Sequence, residues 1–394
     1  MQARRLSGVI TWRRGKVVSV GNRWSGAVTL KVALDHPIPG VDLPEIPAFA
    51  YPELVGEPEI GHTVLLNVSA LARGLGTGGY GLVVAFPDNL PPDPPSGPGH
   101  LVKARYTPLQ TMVLGVDEQE SDHHDLMSQV TTINNMPVVV ADLHSALPAI
   151  IAGVREKAPE ASIAYVMTDG GTLPAWFSRA VDGLRQAQWL SSLITVGQAF
   201  GGDLEAVSLH SGLLAARHVA KADIAIVTQG PGNLGTGTPW GFSGVAAGEA
   251  INAAGALEGV PVAALRVSGA DPRPRHRGVS HHSLTAYRRV ALAAAHVPVP
   301  DFLSVTPDLD AEIDTDIVAN LRRLSSVIEQ DVAPLFAPLG RHRRVDIDLT
   351  GLTTALHGSP VRLSTMGRGL AQDPANFLAV AAAGRYAGSL LSTQ

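Results

Sequence analysis

The chain contains no cysteine. Disulfides, thiolate catalysis, iron–sulfur clusters and cysteine-bound zinc are thereby excluded. It also lacks a run of about 18 apolar residues, the length a membrane-spanning helix needs, so no membrane partner is expected. Charge is sparse as well: 16% of the 394 residues are charged, the formal net charge is -5, and Lys and Arg are scattered. No basic surface follows from that pattern, and no nucleic-acid partner is expected. The opening segment MQARRLSGVITWRRG is basic but has no apolar centre of the kind a secretory signal carries, which points to a cytoplasmic protein. Neither G-x-S-x-G nor G-K-[ST] occurs, so a nucleophile elbow and a Walker A loop are both missing.

What is present is a globular composition, 45% hydrophobic, with breakers concentrated in one place. FPDNLPPDPPSGPGH (86–100) holds six prolines and two glycines, which forbids a helix or a central strand. It reads as a linker over 86–99. Before it, in 1–85, VITWRRGKVVSVG, AVTLKVAL, HTVLLNVSAL and YGLVVAF suggest short strands of a small barrel or sandwich. After it, in 100–394, strands alternate with helices. PVVVA (137–141), IAYVMT (163–168), LITV (193–196), IAIVT (224–228) and VAALRV (262–267) are the candidate strands. ALPAIIAGVREKAP, DLEAVSLHSGLLAARHVA and GFSGVAAGEAINAAGAL are helical patterns between them. The expected class is α/β: a doubly wound, mostly parallel sheet with C-terminal helices from Asp310 onward, preceded by a small N-terminal β domain.

Ligands of open α/β sheets bind beyond the carboxyl ends of the strands. The five loops that leave those ends are therefore the candidate site. They begin at Asp142, Asp169, Gly197, Gln229 and Ser268, and all are polar and glycine-rich. In the fifth loop, Arg273, Arg275 and Arg277 suit an anion through their forked donors. His276, His281 and His282 suit acid–base work or metal ligation. The plainer alternative is a solvated basic loop whose adjacent histidines point apart, with Ser280 or Ser283 capping the helix TAYRRVALAAA. In the third loop, Asp203 and Glu205 beside Gly201 and Gly202 read as the first turn of a helix, where acids meet the dipole. They are equally suited to a cation or a ribose. Asp142, Asp169 and Asp203 each follow a strand, which also accommodates a divalent metal, although no ligand spacing is diagnostic. The tripeptide DHH at 122–124 matches a phosphoesterase metal motif, but no GGGH follows and it precedes the first parallel strand, so it reads as a chance match.

QGPGNLGTGTPWG (229–241) contains G-x-G-x-x-G after an apolar strand. A dinucleotide fingerprint places its third glycine at a helix start. Here Gly235 is followed by TGTPWG, the helix begins near Phe242 or Ser243, and no acid ends the next strand. NAD(P) and FAD are not expected. Gly230, Gly232, Asn233, Gly235 and Thr236 read instead as an anion nest or a close-packed turn.

GLGTGGYGLVVA, VGQAFGGDLEAVSLHSGLLAARH, GPGNLGTGTPWGFSG and GVSHHSLTAY resemble a bacterial, chiefly Gram-positive family known as a domain of unknown function. The resemblance implies a bacterial cytoplasmic protein and carries no catalytic residues with it.

The reading that follows is an enzyme of hydrolysis or group transfer acting on a small anionic or phosphorylated metabolite. His281 or His282 would be general acid or base, with Asp203 or Asp169 orienting it or holding a divalent metal. Gly230, Gly232, Asn233, Gly235, Thr236, Gly201, Gly202, Glu205, Arg273, Arg275 and His276 would bind the ligand. The alternative is a non-catalytic ligand-binding or scaffolding protein, a homodimer assembled through small-residue helices such as GVAAGEAINAAGAL.

Overall fold

Five strands rich in Val, Thr and Leu open the fold: β1 (Trp12–Trp24), β2 (Ala27–Leu34), β3 (Glu45–Ala50), β4 (Thr63–Asn67) and β5 (Gly81–Ala85). Side chains such as Val17, Val28, Leu30, Val32, Ile46 and Leu66 alternate inward and are almost fully buried. The strands close in the order β1-β2-β3-β5-β4, with β4 pairing back onto β1 and β3 running parallel to β5. This is a small Greek-key barrel with the strand order of OB-type barrels; closure leaves no strand edge. Phe86, which opens the proline-rich stretch, fills this core. The computed structural model describes residues 10–75, 78–307, 315–337 and 340–392; the start of the C-terminal tail at Asp310 lies outside them. The chain divides into two units, Met1–Gly97 with Ala104–Thr111, and Pro98–Lys103 with Met112–Gln394.

The second unit is built on eight strands, all paired in parallel. In chain order its elements are β6 (Pro137–Val140), α1 (Leu147–Lys157), β7 (Ile163–Thr168), α2 (Arg179–Gln186), β8 (Ser192–Val196), β9 (Leu204–Ala206), α3 (Leu209–His218), β10 (Ile224–Gln229), α4 (Ala246–Ala256), β11 (Val260–Ala263), α5 (His281–Thr285), β12 (His296–Asp301), α6 (Thr315–Phe336), β13 (Arg343–Asp348), α7 (Leu352–His357) and α8 (Pro374–Leu391). The sheet order is β9-β8-β7-β10-β6-β11-β12-β13. PVVV and IAIVTQ are buried at every position, as strands covered on both faces must be. From β6 the chain crosses over β10 to reach β7; from β10 it crosses back over β6 to reach β11. With right-handed crossovers, α1 and α4 therefore lie on opposite faces.

Three local expectations are corrected. Leu204–Ala206 is an edge strand rather than a first helical turn; helix α3 starts at Leu209, where Ser208 and Ser211 form a reciprocal cap. The strand expected over 262–267 ends at Ala263, and Val267–Ser268 leaves the sheet to pair with Gly278–Val279. The region beyond 290 adds strands β12 and β13 as well as helices. In HVPVPD the two prolines have equal parity and withhold donors on one flank only. The flank toward β11 is paired at Val262↔His296 alone.

Helix α8 is buried nearly throughout and lies against α1 at very short range. A Cβ on Gly384 would fall 1.9 Å from the Ile150 carbonyl oxygen, and one on Gly153 would fall 2.0 Å from that of Ala381. Backbone cannot yield as a side chain would. One of the three glycines of GVAAGEAINAAGAL has an internal partner too: Gly248 faces the Ala286 carbonyl.

On the α1 side of the sheet edge, His144 joins three elements. Its Nδ1 lies 2.9 Å from the Tyr165 hydroxyl and its Nε2 2.7 Å from Ser178 Oγ. Ser178 Oγ already accepts the Val181 N–H as the cap of α2, so its own proton is available to Nε2, which fits a neutral ring. Burial pushes His144 down to about 4.

Two outcomes follow. Gly384→Ala should lower stability by about 1–3 kcal/mol or more, the cost of overpacking; unchanged urea melting would contradict the close crossing. Because the unfolded chain takes up the His144 proton first, near the ordinary value of about 6.5, stability from this group is complete above that pH. It is lost as pH falls toward 4. His144→Gln should flatten that part of the pH–stability curve measured by thermal melting.

Candidate functional site

The chain leaves the adjacent ends of β6 and β10 toward opposite faces, the arrangement beside which ligands of such sheets bind. Gln229, the last residue of β10, bridges the two ends: its Nε2 donates to the Asp142 carbonyl at 2.7 Å and to Asn233 Oδ1 at 3.0 Å. These two acceptors fix the amide's orientation. Its Oε1 is buried without a partner among the described residues.

Asp142 and Arg266 meet above this point. Both are about 5% exposed or less, and Arg266 Nη1 lies 3.5 Å from Asp142 Oδ2. His282 joins them, its Nδ1 at 3.7 Å from Asp142 Oδ2 and 3.4 Å from Arg266 Nη1. Burial works to raise the Asp142 carboxyl, but interaction with His282 and the charge of Arg266 outweigh it and hold the group below its ordinary range. Phe242 stacks flat on the His282 ring, centroids 3.8 Å apart.

The fifth loop folds back so that residues five and six apart in sequence meet. Pro274–His276 makes a single 3-10 turn, Gly278–Val279 pairs with Val267–Ser268, and Ser280 caps α5 by accepting the His282 N–H. Gly278 adopts φ +68° against Asp331, whose carboxylate accepts the Val279 N–H. Ser280 Oγ also lies 2.8 Å from His276 Nδ1. The ring of His281 sits 4.4 Å from that of His282 and 5.0 Å from that of His276. Adjacent histidines thus converge here rather than point apart. The helix continues as a π turn over Ala286–Val290, a distortion frequent at functional sites. Tyr287 anchors it, with its hydroxyl 2.9 and 3.0 Å from the carbonyls of Val140 and Ala264.

Burial, then the positive charges of Arg266 and Arg273, push His276 down to about 3. Burial, then His282 and Arg275, push His281 down to about 4. Both rings are neutral at pH 7.

The other expected residues fall into three groups. Arg275 is exposed and lies against the turn at Gly237, close enough to His281 to oppose its protonation. Arg273 is held in a two-point contact by Asp271, which Arg368 also approaches at 3.2 Å. The glycine-rich loop closes on itself. Gly230 packs on Thr172, Asn233 accepts from Gln229 and Ser243, Gly235 bridges to Phe242, and Thr236 bonds Gly241 and Thr238. Gly232 has φ +96° with open space around its α-carbon. After this loop the chain enters a 3-10 turn at Ser243 and α4 only at Ala246.

The third group lies away from the histidines. Asp169 accepts the Gln198 N–H. Asp203 pairs with Arg185 at 2.6 Å and accepts the Leu193 N–H. Glu205 accepts from Thr195, Gly201 and Gly202 and pairs with the buried Lys103 at 3.3 Å, with Gly201 at φ +89° against Trp176. Strand β9 is four places from β6, roughly 19 Å at a spacing of about 4.8 Å. The carboxylate beside His282 is therefore Asp142, not Asp203 or Asp169. Its place directly after the first strand was the available signal. In the DHH tripeptide, His124 Nδ1 lies 2.8 Å from the Asp117 carbonyl.

A family model described as a protein of unknown function (DUF3866) matches residues 47–384. No curated protein matches the chain. Among the described residues, no helix is long and apolar enough to cross a membrane.

Removing one partner of the buried pair isolates the other charge. Asp142→Ala should cost about 3–5 kcal/mol by urea denaturation, and adding Arg266→Met should recover part of it. A double variant no better than the single one would count against the pairing.

Proposed function

The chain belongs to that family of unknown function, and on this footing we propose that it is an enzyme of hydrolysis or group transfer acting on a small anionic or phosphorylated metabolite. The substrate would bind at the carboxyl edge of the parallel sheet. The observation that carries this reading is the gathering of His276, His281 and His282 in the loop beyond the sheet's carboxyl edge, beside the exposed Arg275. Asp142 neutralises Arg266, and Asp271 neutralises Arg273, so Arg275 is the guanidinium placed to meet an incoming anion.

Chemistry then falls to the histidines. His281, held at about 4, is a weak base by itself near neutral pH. Activation of a water or acceptor hydroxyl therefore rests on the cluster as a unit, with Asp142 orienting His282 from behind. The neighbouring loop contributes Phe242, which fixes the plane of the His282 ring, and the turn at Gly237, against which Arg275 lies.

The test is turnover of p-nitrophenyl phosphate, bis-p-nitrophenyl phosphate and p-nitrophenyl acetate, followed by nitrophenolate release. At least one phosphate ester should be hydrolysed. His282→Ala should reduce kcat about 10²–10⁴-fold. Arg275→Gln should raise KM roughly tenfold with little change in kcat, the signature of lost uniform binding. No turnover of any ester, together with no thermal shift by inorganic phosphate, would overturn the reading.

A further inference from the structure

His276, His281 and His282 are the one group of three or more His, Asp or Glu side chains among the described residues whose ligand atoms all lie within 4.8 Å of one another. We propose that these three imidazoles bind a single divalent transition-metal ion of the zinc type, leaving an open coordination position toward the exposed side. The inference deepens the reading of this edge as an active site, but its measurement requires no substrate.

Four observations carry it. First, the donor set is nitrogen only. Imidazole suits zinc, copper, nickel or iron, whereas magnesium and calcium take oxygen ligands. Second, one ring is hydrogen-bonded from behind by a buried group and another faces a buried ion pair. Ser280 Oγ meets His276 Nδ1 at 2.8 Å, while His282 Nδ1 lies 3.7 Å from Asp142 Oδ2 and 3.4 Å from Arg266 Nη1. Ser280 and Asp142 are 0% and 4% exposed. A carboxylate or hydroxyl on the far nitrogen is the usual support of a metal-bound histidine, and it leaves Nε2 as the ligating atom. Third, His281 Nε2 is buried with no hydrogen-bond partner among the described residues. Leaving such an atom unpaired is costly; a coordinated ion would remove that cost.

Fourth, the surrounding charge allows it. A cation here faces Arg266 and Arg273, but Asp142 and Asp271 already compensate these. The cation that remains close is Arg275 on the exposed side, and it would share an anionic ligand with the ion. Metal–nitrogen bonds of about 2.05 Å at tetrahedral angles need nitrogen atoms about 3.3 Å apart, so the rings have at most about 1.5 Å to close. An ion with three histidines and an open position lowers the pKa of a bound water toward neutrality. That would supply a nucleophile for the hydrolysis proposed above.

The test uses the full chain without a histidine tag. Zn²⁺ is titrated by calorimetry, Co²⁺ by its visible absorption, and metal content is read by elemental analysis after dialysis. One equivalent per chain is expected, with the Co²⁺ spectrum of a low-coordinate nitrogen site. His276→Ala, His281→Ala and His282→Ala should each weaken Zn²⁺ binding at least about 100-fold, and Asp142→Asn about 10–100-fold. Should the alanine variants melt early, His281→Gln keeps the side-chain volume, and it should melt like the metal-free parent while losing the ion. No stoichiometric Zn²⁺ or Co²⁺ binding by the parent, or equal binding by His281→Gln, overturns the inference. Metal binding without turnover of any ester upholds it and counts against the enzyme; ester turnover by a parent that binds no stoichiometric Zn²⁺ or Co²⁺ does the reverse.

Discussion

The buried ion pair between Asp142 and Arg266 holds the candidate site together. Each partner alone would be an uncompensated charge in the interior, and each comes from a different crossover. Asp142 ends the first strand of the sheet, and Arg266 lies just past β11, on the segment that returns from the other face. Joining them clamps the two directions of the chain at the point where they diverge. The Arg266 backbone then extends the clamp: its N–H donates to Ser283 Oγ and its carbonyl accepts the Ser280 N–H. The helix bearing His281 and His282 is thus tied to the same residue that neutralises Asp142.

Charge around the cluster is arranged in layers. Arg266, Arg273 and Arg368 are each matched by an aspartate within about a contact distance, Asp142, Asp271 and Asp373. Arg275 sits outside that layer and is exposed. The inner arginines still act at a distance, because two of them help to keep His276 unprotonated. A site can therefore be rich in positive residues and yet present neutral imidazoles at pH 7.

Much of the second unit was legible because its central strands are short apolar runs bounded by breakers. The rule that ligands sit beyond strand carboxyl ends then singled out the loop with three histidines. What failed to show was anything decided by distant partners. Leu204–Ala206 carries one acid and follows another, Asp203, like a helix start, yet Glu205 is claimed by Lys103, about a hundred residues earlier, and becomes part of an edge strand. HVPVPD, with two prolines in six residues, carries no strand signal of its own and is a strand because β13 pairs with it. Asp203 and Asp169 looked equivalent to Asp142, since all three follow strands. Only the order of the strands, which one sequence does not disclose, tells which of them stands beside the histidines.

The π turn after the histidine helix has a consequence for how this segment tolerates change over evolutionary time. Tyr287 is pinned to the ends of two strands, while His282, five positions earlier, donates its N–H to Ser280 and faces Asp142. Between two fixed ends, the number of residues sets the rotation about the helix axis, about 100° for each. Substitutions along this stretch leave that phase intact, whereas insertion or deletion of a single residue between His282 and Tyr287 turns the pair of histidines relative to the strand ends that hold Tyr287. Length, rather than composition, is the quantity that this part of the chain must preserve.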